Sequence, residues 1–274
     1  QGAGADTTTL ASDHGSILTA DGVKDVLIEG FTLDGRHTAE YGFTCDHSSS
    51  VTFRHNALKD LTVTGVKAQF TEMLIEECEF HDLHMHAIDV LVGRTTVHEN
   101  VIRSVASGIY CAQGWVNIRN NVIEDAQGAA IFIHSIPGAV VQGNRITRAV
   151  IALDVNGGGA SVTVLDTTMV SGTSGVVCRA PARLVLRQCT ITENQQAGVQ
   201  VGEGAVIDLG RPDDLGRNSI WGNSGGDIVN DSSNVVSAVR GWWGTPEPST
   251  DQFRGVVDYS LPLSEAPPTN VLRR

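Results

Sequence analysis

The sequence predicts an all-β protein: a parallel solenoid of about nine to ten coils, each of roughly 22 residues. Three observations carry that prediction. A residue triplet recurs at a nearly fixed interval. A second apolar run keeps the same interval. No ten-residue stretch has apolar residues at helical spacing.

The triplet reads Asn56-Ala57-Leu58, Cys78-Glu79-Phe80, Asn100-Val101-Ile102, Asn121-Val122-Ile123, Asn144-Arg145-Ile146, Thr167-Thr168-Met169, Cys189-Thr190-Ile191 and Asn218-Ser219-Ile220, with Phe31-Thr32-Leu33 as an earlier member. Successive steps are 25, 22, 22, 21, 23, 23, 22 and 29 residues. A unit this short cannot bury its own apolar side, so it must stack on its neighbours.

A strand leads into each triplet, as in Val116-Asn117-Ile118-Arg119-Asn120-Asn121, where alternation implies one inward face. The second apolar run follows a polar turn and opens with Gly or Ala. Examples are Gly42-Phe43-Thr44-Cys45, Gly65-Val66-Lys67-Ala68, Ala87-Ile88-Asp89-Val90, Gly108-Ile109-Tyr110-Cys111 and Gly175-Val176-Val177-Cys178. The matching run between Ala130 and Gly175 is degenerate, at Ile151-Ala152-Leu153. A leucine-rich repeat would need a dense Leu framework, and Leu is sparse.

Asn at the head of the triplet has two expected uses. It tolerates the left-handed backbone conformation, and equivalent Asn side chains one coil apart can bond each other as a ladder. Cys78 and Cys189 take the Asn position, and Cys45, Cys111 and Cys178 sit inward on the second strand. Coils stack about 4.8 Å apart. Cys45, Cys111 and Cys178 are three coils apart, roughly 14 Å, and Cys78 and Cys189 are five coils apart, roughly 24 Å. A disulfide needs Cα atoms within about 7 Å. Five free, buried thiols are therefore expected. Asp60, Asp82 and Asp125 share one turn position and read as turn-formers.

The ends need covering, because an open solenoid exposes strand edges and core. Residues 205–233 read as a longer, irregular coil, and the Trp242-Trp243-Gly244 pair as the cap. The expected organisation is one domain over residues 1–262, with 205–262 as last coils and cap, then a Pro-rich tail at 263–274 that acts as a linker or disordered end. The abrupt start at Gln1 reads as a processed or trimmed N-terminus.

Composition narrows the function classes. The net charge of −12 argues against nucleic acid as partner, which needs a basic face. No apolar run approaches 18 residues, so no membrane span is expected. Thirty Gly and 5% aromatics suit many tight turns.

The phrases Val51-Thr52-Phe53-Arg54-His55-Asn56, Val116 through Asp125, and Gly241-Trp242-Trp243-Gly244 carry a family resemblance, as does the opening from Gly2 to Leu10. The chain resembles right-handed parallel β-helix proteins, the pectate-lyase-like superfamily and its short-repeat relatives. The resemblance implies a right-handed parallel β-helix. It also implies a range of activities: polysaccharide lyase, hydrolase, uronate epimerase, phage spike, or no catalysis. Active sites in such enzymes lie in a groove on an outward sheet face. Mannuronan epimerases carry Tyr-Gly-Phe-Asp-Pro-His; here Tyr41-Gly42-Phe43 is followed by Thr44-Cys45-Asp46-His47, so the Asp-Pro-His part is missing. The calcium carboxylates and catalytic Arg of pectate lyases find no matching motif.

A solenoid aligns equivalent positions into rows. One outward row of the second strand runs Thr44, Lys67, Asp89, Tyr110, Phe132, Ala152 and Val177. The row two residues on runs Asp46, Gln69, Leu91, Ala112, His134, Asp154 and Arg179. Lys67, Asp89, Tyr110, His134, Asp154 and Arg179 thus become candidate catalytic residues, joined by His86 beside Asp89. Lys, Arg, Tyr or His can take the proton alpha to a uronate carboxylate or protonate a leaving oxygen, and Arg179 can neutralise a carboxylate. The same row also reads as an ordinary solvated face. The cluster His81, His84, His86 and His98 offers candidate ligands for a divalent metal cofactor, although its spacing matches no zinc motif.

Three functions follow. The first is an extracellular, cell-surface or periplasmic lyase or epimerase acting on an acidic polysaccharide. The second is a non-catalytic surface or adhesion β-helix binding glycan or protein. The third is a small-molecule isomerase or cyclase. Coils near 22 residues leave few insertions to wall a groove, which weighs against the first. The assembly is expected to be a monomer or a trimer.

Overall fold

The protein is described by a computed structural model that covers residues 2–5 and 7–268. Gln1 and the end of the Pro-rich tail, 269–274, lie outside the described residues. The chain forms two compact units, the first ending at Ile131 and the second beginning at Phe132. Each is a parallel β-solenoid, and together they hold about 11 turns. The described helix is a single 3-10 turn, Thr250–Gln252.

In the first unit the triplets pair in the expected register. Leu33 lies beside Leu58, Leu58 beside Phe80, and Phe80 beside Ile102. All four are at most 1% exposed. A further coil precedes Phe31, because Thr9–Ala11 pairs with Thr32–Asp34. Thr8-Thr9-Leu10 is therefore an unrecognised first triplet. A second inward column comes from the strand before the triplet: Phe53, Ile75, Val97 and Ile118, one per coil. Phe43 stacks on Phe53 at 5.1 Å across the interior.

The second unit repeats the pattern with Ile146, Met169, Ile191 and Ile220. The 29-residue step comes from a turn at 211–214, closed by hydrogen bonds between Arg211 and Asp214. Trp243 is 2% exposed and meets Phe253 edge-on at 4.8 Å; Phe253 in turn stacks on Tyr259. Leu263 donates its N–H to the Gly241 carbonyl, and Pro267 and Pro268 line a depression with Asp166, Gln188 and Arg217.

The two expected uses of Asn separate. Left-handed backbone belongs to the residue before the triplet: His55, Glu77, Glu99 and Asn120 in the first unit, Asp166, Gln188 and Arg217 in the second. Asn itself is the ladder. Asn100 accepts from the Cys78 N–H at 3.0 Å, and its amide donates to the Ile75 carbonyl and to Asn121 Oδ1, each at 3.0 Å. The ladder satisfies buried backbone groups at the corner, where no strand neighbour reaches them. Asp60, Asp82 and Asp125 all have φ of 56–59°, as turn-formers should.

All five cysteines are free and at most 1% exposed. Burial pushes the Cys78, Cys178 and Cys189 thiols up to about 12 and raises Cys45 and Cys111. Thiolate is the reactive form, so none should react with a disulfide reagent in the native protein. Titration in denaturant is expected to release all five. Rapid native labelling of any one would contradict this packing.

Candidate functional site

The outward row of the first unit is built on three strands: Thr64–Glu76, Glu79–His98 and Val101–Ala112. Lys67 pairs with Asp89, and Asp89 with Tyr110. Each sits between buried neighbours, Val66 and Ala68, Ile88 and Val90, Ile109 and Cys111, so the three side chains share one outward face. Side chains on adjacent coils stand about 4.8 Å apart.

His86 lies three residues before Asp89, and strict alternation would put it on the opposite face. Alternation breaks at Ala87 and Ile88, which are both buried. The same break occurs at Gly65-Val66 and Gly108-Ile109. Gly65 shows why the first of these residues is small. A methyl group there would lie 2.5 Å from the Ala87 carbonyl oxygen and 2.9 Å from Phe80. The corner thus brings His86 to the face of Asp89. Its ring stacks on Tyr110 at 5.0 Å and 29°.

Two polar atoms here are buried without a hydrogen-bond partner, His86 Nδ1 and Asp89 Oδ1; Thr95 Oγ1 and Trp243 Nε1 are the others among the described residues. Leaving a polar group so costs about 1–3 kcal/mol, so two such atoms in one cluster mark a place where the chain keeps costly polar groups for more than packing. Burial raises the Asp89 carboxyl, against the opposing pull of His86 and Lys67. Burial lowers His86, against the pull of Asp89, so the imidazole is neutral at pH 7. Burial, and then the Asp89 charge, raises the Tyr110 phenol. A neutral imidazole and a protonated phenol can exchange protons with a ligand.

A cleft of about 250 Å³ adjoins this cluster, lined by Thr19, Asp21, Tyr41, Thr44, Cys45, Asp46, Lys67 and Gln69. Lys67 Nζ stands 5.4 Å above the Tyr41 ring and makes no ion pair among the described residues. Tyr41 was not among the catalytic candidates. Its place before the Gly42-Phe43 corner, equivalent to His86 before Ala87-Ile88, is the signal that would have found it.

In the second unit, His134 Nδ1 lies 3.0 Å from Asn156 Oδ1. Asp154 is 5% exposed and takes two hydrogen bonds from Arg179, at 3.1 and 3.0 Å. Its register differs from the expected row. Asp154 pairs with Val177, and Leu153 with Val176, so Ala152-Leu153-Asp154-Val155 is the true counterpart of Gly175-Val176-Val177-Cys178. The degenerate run starts one residue later than Ile151 suggests, because the corner needs the small Ala152. Asp154 and Arg179 hold each other, which ties Arg179's Nε and Nη2 to a structural carboxylate.

The four candidate metal-ligating histidines do not converge. His81 bonds Asp82 at 3.0 Å, His84 stacks on His37, His86 faces Tyr110, and His98 lies by Glu76 and Glu99. Each has a different partner: a sequence neighbour for His81, residues on a neighbouring coil for His86 and His98, and one two coils away for His84. Among the described residues, the set with ligand atoms within 4.8 Å of one another is Asp21, Asp46 and His47.

Comparison with known proteins bears on the fold. The family model of the right-handed β-helix region matches residues 66–210, more than half of the chain. The chain belongs to that family. The β-helix is similar to the solved structure of the Azotobacter vinelandii mannuronan C-5 epimerase AlgE4 A-module, with a TM-score of 0.69 and 13% identity over 96% of this chain and 82% of that one. At that identity the likeness is one of fold. No curated protein matches the β-helix by sequence. Among the described residues, no helix is long and apolar enough to cross a membrane.

Proposed function

We propose that this β-helix acts on an acidic polysaccharide as a uronate lyase or epimerase, with its acid–base centre at Lys67, His86, Asp89 and Tyr110. The observation that carries the reading is the pair of buried, unpartnered atoms, His86 Nδ1 and Asp89 Oδ1, beside Tyr110 and the unpaired Lys67. A similar fold serves a mannuronan C-5 epimerase module. That enzyme class carries Asp-Pro-His after Tyr-Gly-Phe, whereas this chain has Thr44 at the first of those positions. The row through Thr44 regains a carboxylate two coils on, at Asp89.

The chemistry follows from the charges. His86, neutral, takes the C5 proton of a uronate. The electron pair left on C5 spreads into the uronate carboxylate, and Lys67 offsets that charge. Asp89 stabilises the imidazolium that forms. Two outcomes are then open. A proton returned to C5 from solvent on the face away from His86 is epimerisation. Alternatively the pair forms a C4–C5 double bond, the C4–O bond breaks, and Tyr110 protonates the leaving oxygen, which is elimination. Such a substrate goes with a secreted, surface or periplasmic protein.

A panel of uronic-acid polymers tests this. Elimination is read as ultraviolet absorbance of the unsaturated product, and epimerisation by proton NMR of the polymer. Binding without either reaction on every polymer would favour the non-catalytic adhesion reading.

A further inference from the structure

The cleft beside the acid–base centre carries charge that the reaction does not use. Its outward rows are Thr19–Thr44–Lys67 and Asp21–Asp46–Gln69, each crossing three coils. Lys67 belongs to both the cleft and the acid–base row, so a polymer lying across the coils at Asp89 continues into the cleft. The volume, about 250 Å³, holds about one sugar ring with some of its water. At its far side two carboxylates stand on neighbouring coils, with side chains 72% and 43% exposed. His47 Nδ1 is 3.0 Å from Asp46 and 3.9 Å from Asp21. No Lys or Arg pairs with either among the described residues.

We propose that this cleft is a flanking subsite that takes an uncharged or amino sugar and rejects a uronate. The inference rests on the reading of the acid–base centre given above, and sharpens the substrate to a mixed polymer. The physical basis is a division of charge. Lys67, held over the Tyr41 ring where the cleft meets the acid–base row, is the single cation of the lining, against the two carboxylates Asp21 and Asp46. A second uronate in the cleft would bring its carboxylate within a few ångströms of Asp21 and Asp46. Like charges so placed act against a wrong partner. Hydroxyls or an ammonium group, in contrast, donate to those carboxylates. Thr44 and Gln69 add neutral partners. The net charge of −12 already disfavours polyanions, and a polymer with a uronate at every second residue halves that repulsion.

The test uses the whole chain and reads binding by calorimetry, apart from turnover. The probes are a polymer alternating glucuronate with N-acetylglucosamine, polygalacturonate and polymannuronate. The wild type is expected to bind the alternating polymer at least tenfold more tightly than either homopolymer. The Asp21→Asn, Asp46→Asn double variant is expected to gain tenfold or more for the homopolymers and to close the gap. Asp21 is exposed and Asp46 half-buried, accepting from the His47 N–H, and circular dichroism checks that the variant folds. Equal or tighter wild-type binding of a homopolymer overturns the proposal, as do an unchanged ratio in the double variant and failure of all three probes to bind. Selective binding with no C5 chemistry supports the subsite and rejects the acid–base reading. C5 chemistry with a ratio indifferent to Asp21 and Asp46 does the reverse.

Discussion

Replacing His86 with Gln is expected to lower turnover about 100-fold or more while leaving polymer affinity within a few-fold. A positioned acid or base contributes about 10²–10⁴ in rate, and a Gln amide keeps the size and polarity of the imidazole without its basicity. Tyr110→Phe should act on the same step, because the ring stays against His86 and only the phenolic proton is lost. The pH profile separates their roles. A base must be neutral, and burial lowers His86 from its ordinary 6.5. The rising limb should therefore lie below pH 6.5. A phenol acting as donor must keep its proton, and Tyr110 is raised from 10.0. The falling limb should therefore lie above pH 10, and Tyr110→Phe should abolish it. A profile that rises only above neutrality would contradict a depressed histidine.

The second large effect is on stability. Asn100→Ala removes the side chain that serves the Cys78 N–H and the Ile75 carbonyl. Each buried group left unpaired costs about 1–3 kcal/mol, so the variant should lose about 2–6 kcal/mol in urea unfolding. Asn100→Cys should lose less. Cys78 and Cys189 already occupy this corner with Sγ 3.2–3.6 Å from carbonyl oxygens, so a thiol can partly satisfy it. Equal losses for Ala and Cys would mean that the ladder contributes through packing alone.

The fold was legible because a solenoid repeats its constraints. Each coil needs an inward Leu, Ile, Phe or Met after the corner, and that need writes the triplet in the chain. The role of Asn was half legible. A side chain that bonds backbone can do so from a left-handed residue or from a buried ladder, and the triplet alone does not separate the two. The row from Lys67 to Tyr110 followed from counting, since those three coils are regular. Asp154 was misplaced because Ile151 looks like the start of a strand, while the corner is set by the small Ala152. Tyr41 and His86 share one corner position, and alternation fails there, so neither could be assigned a face by periodicity. The histidine cluster looked like a metal site in sequence because four His fall within two coils. Separate partners divide them: Asp82 for His81, His37 for His84, Tyr110 for His86, and Glu76 and Glu99 for His98.

The central claim is that this face moves the C5 proton of a uronate. Incubating a uronate polymer with the protein in D2O and reading deuterium at C5 tests it most directly, with double-bond formation scored alongside. The wild type should introduce deuterium at C5 or form the unsaturated uronate, and His86→Gln should do so at least 100-fold more slowly. A polymer that binds the wild type yet keeps every C5 proton, or a His86→Gln protein that exchanges as fast, would contradict it.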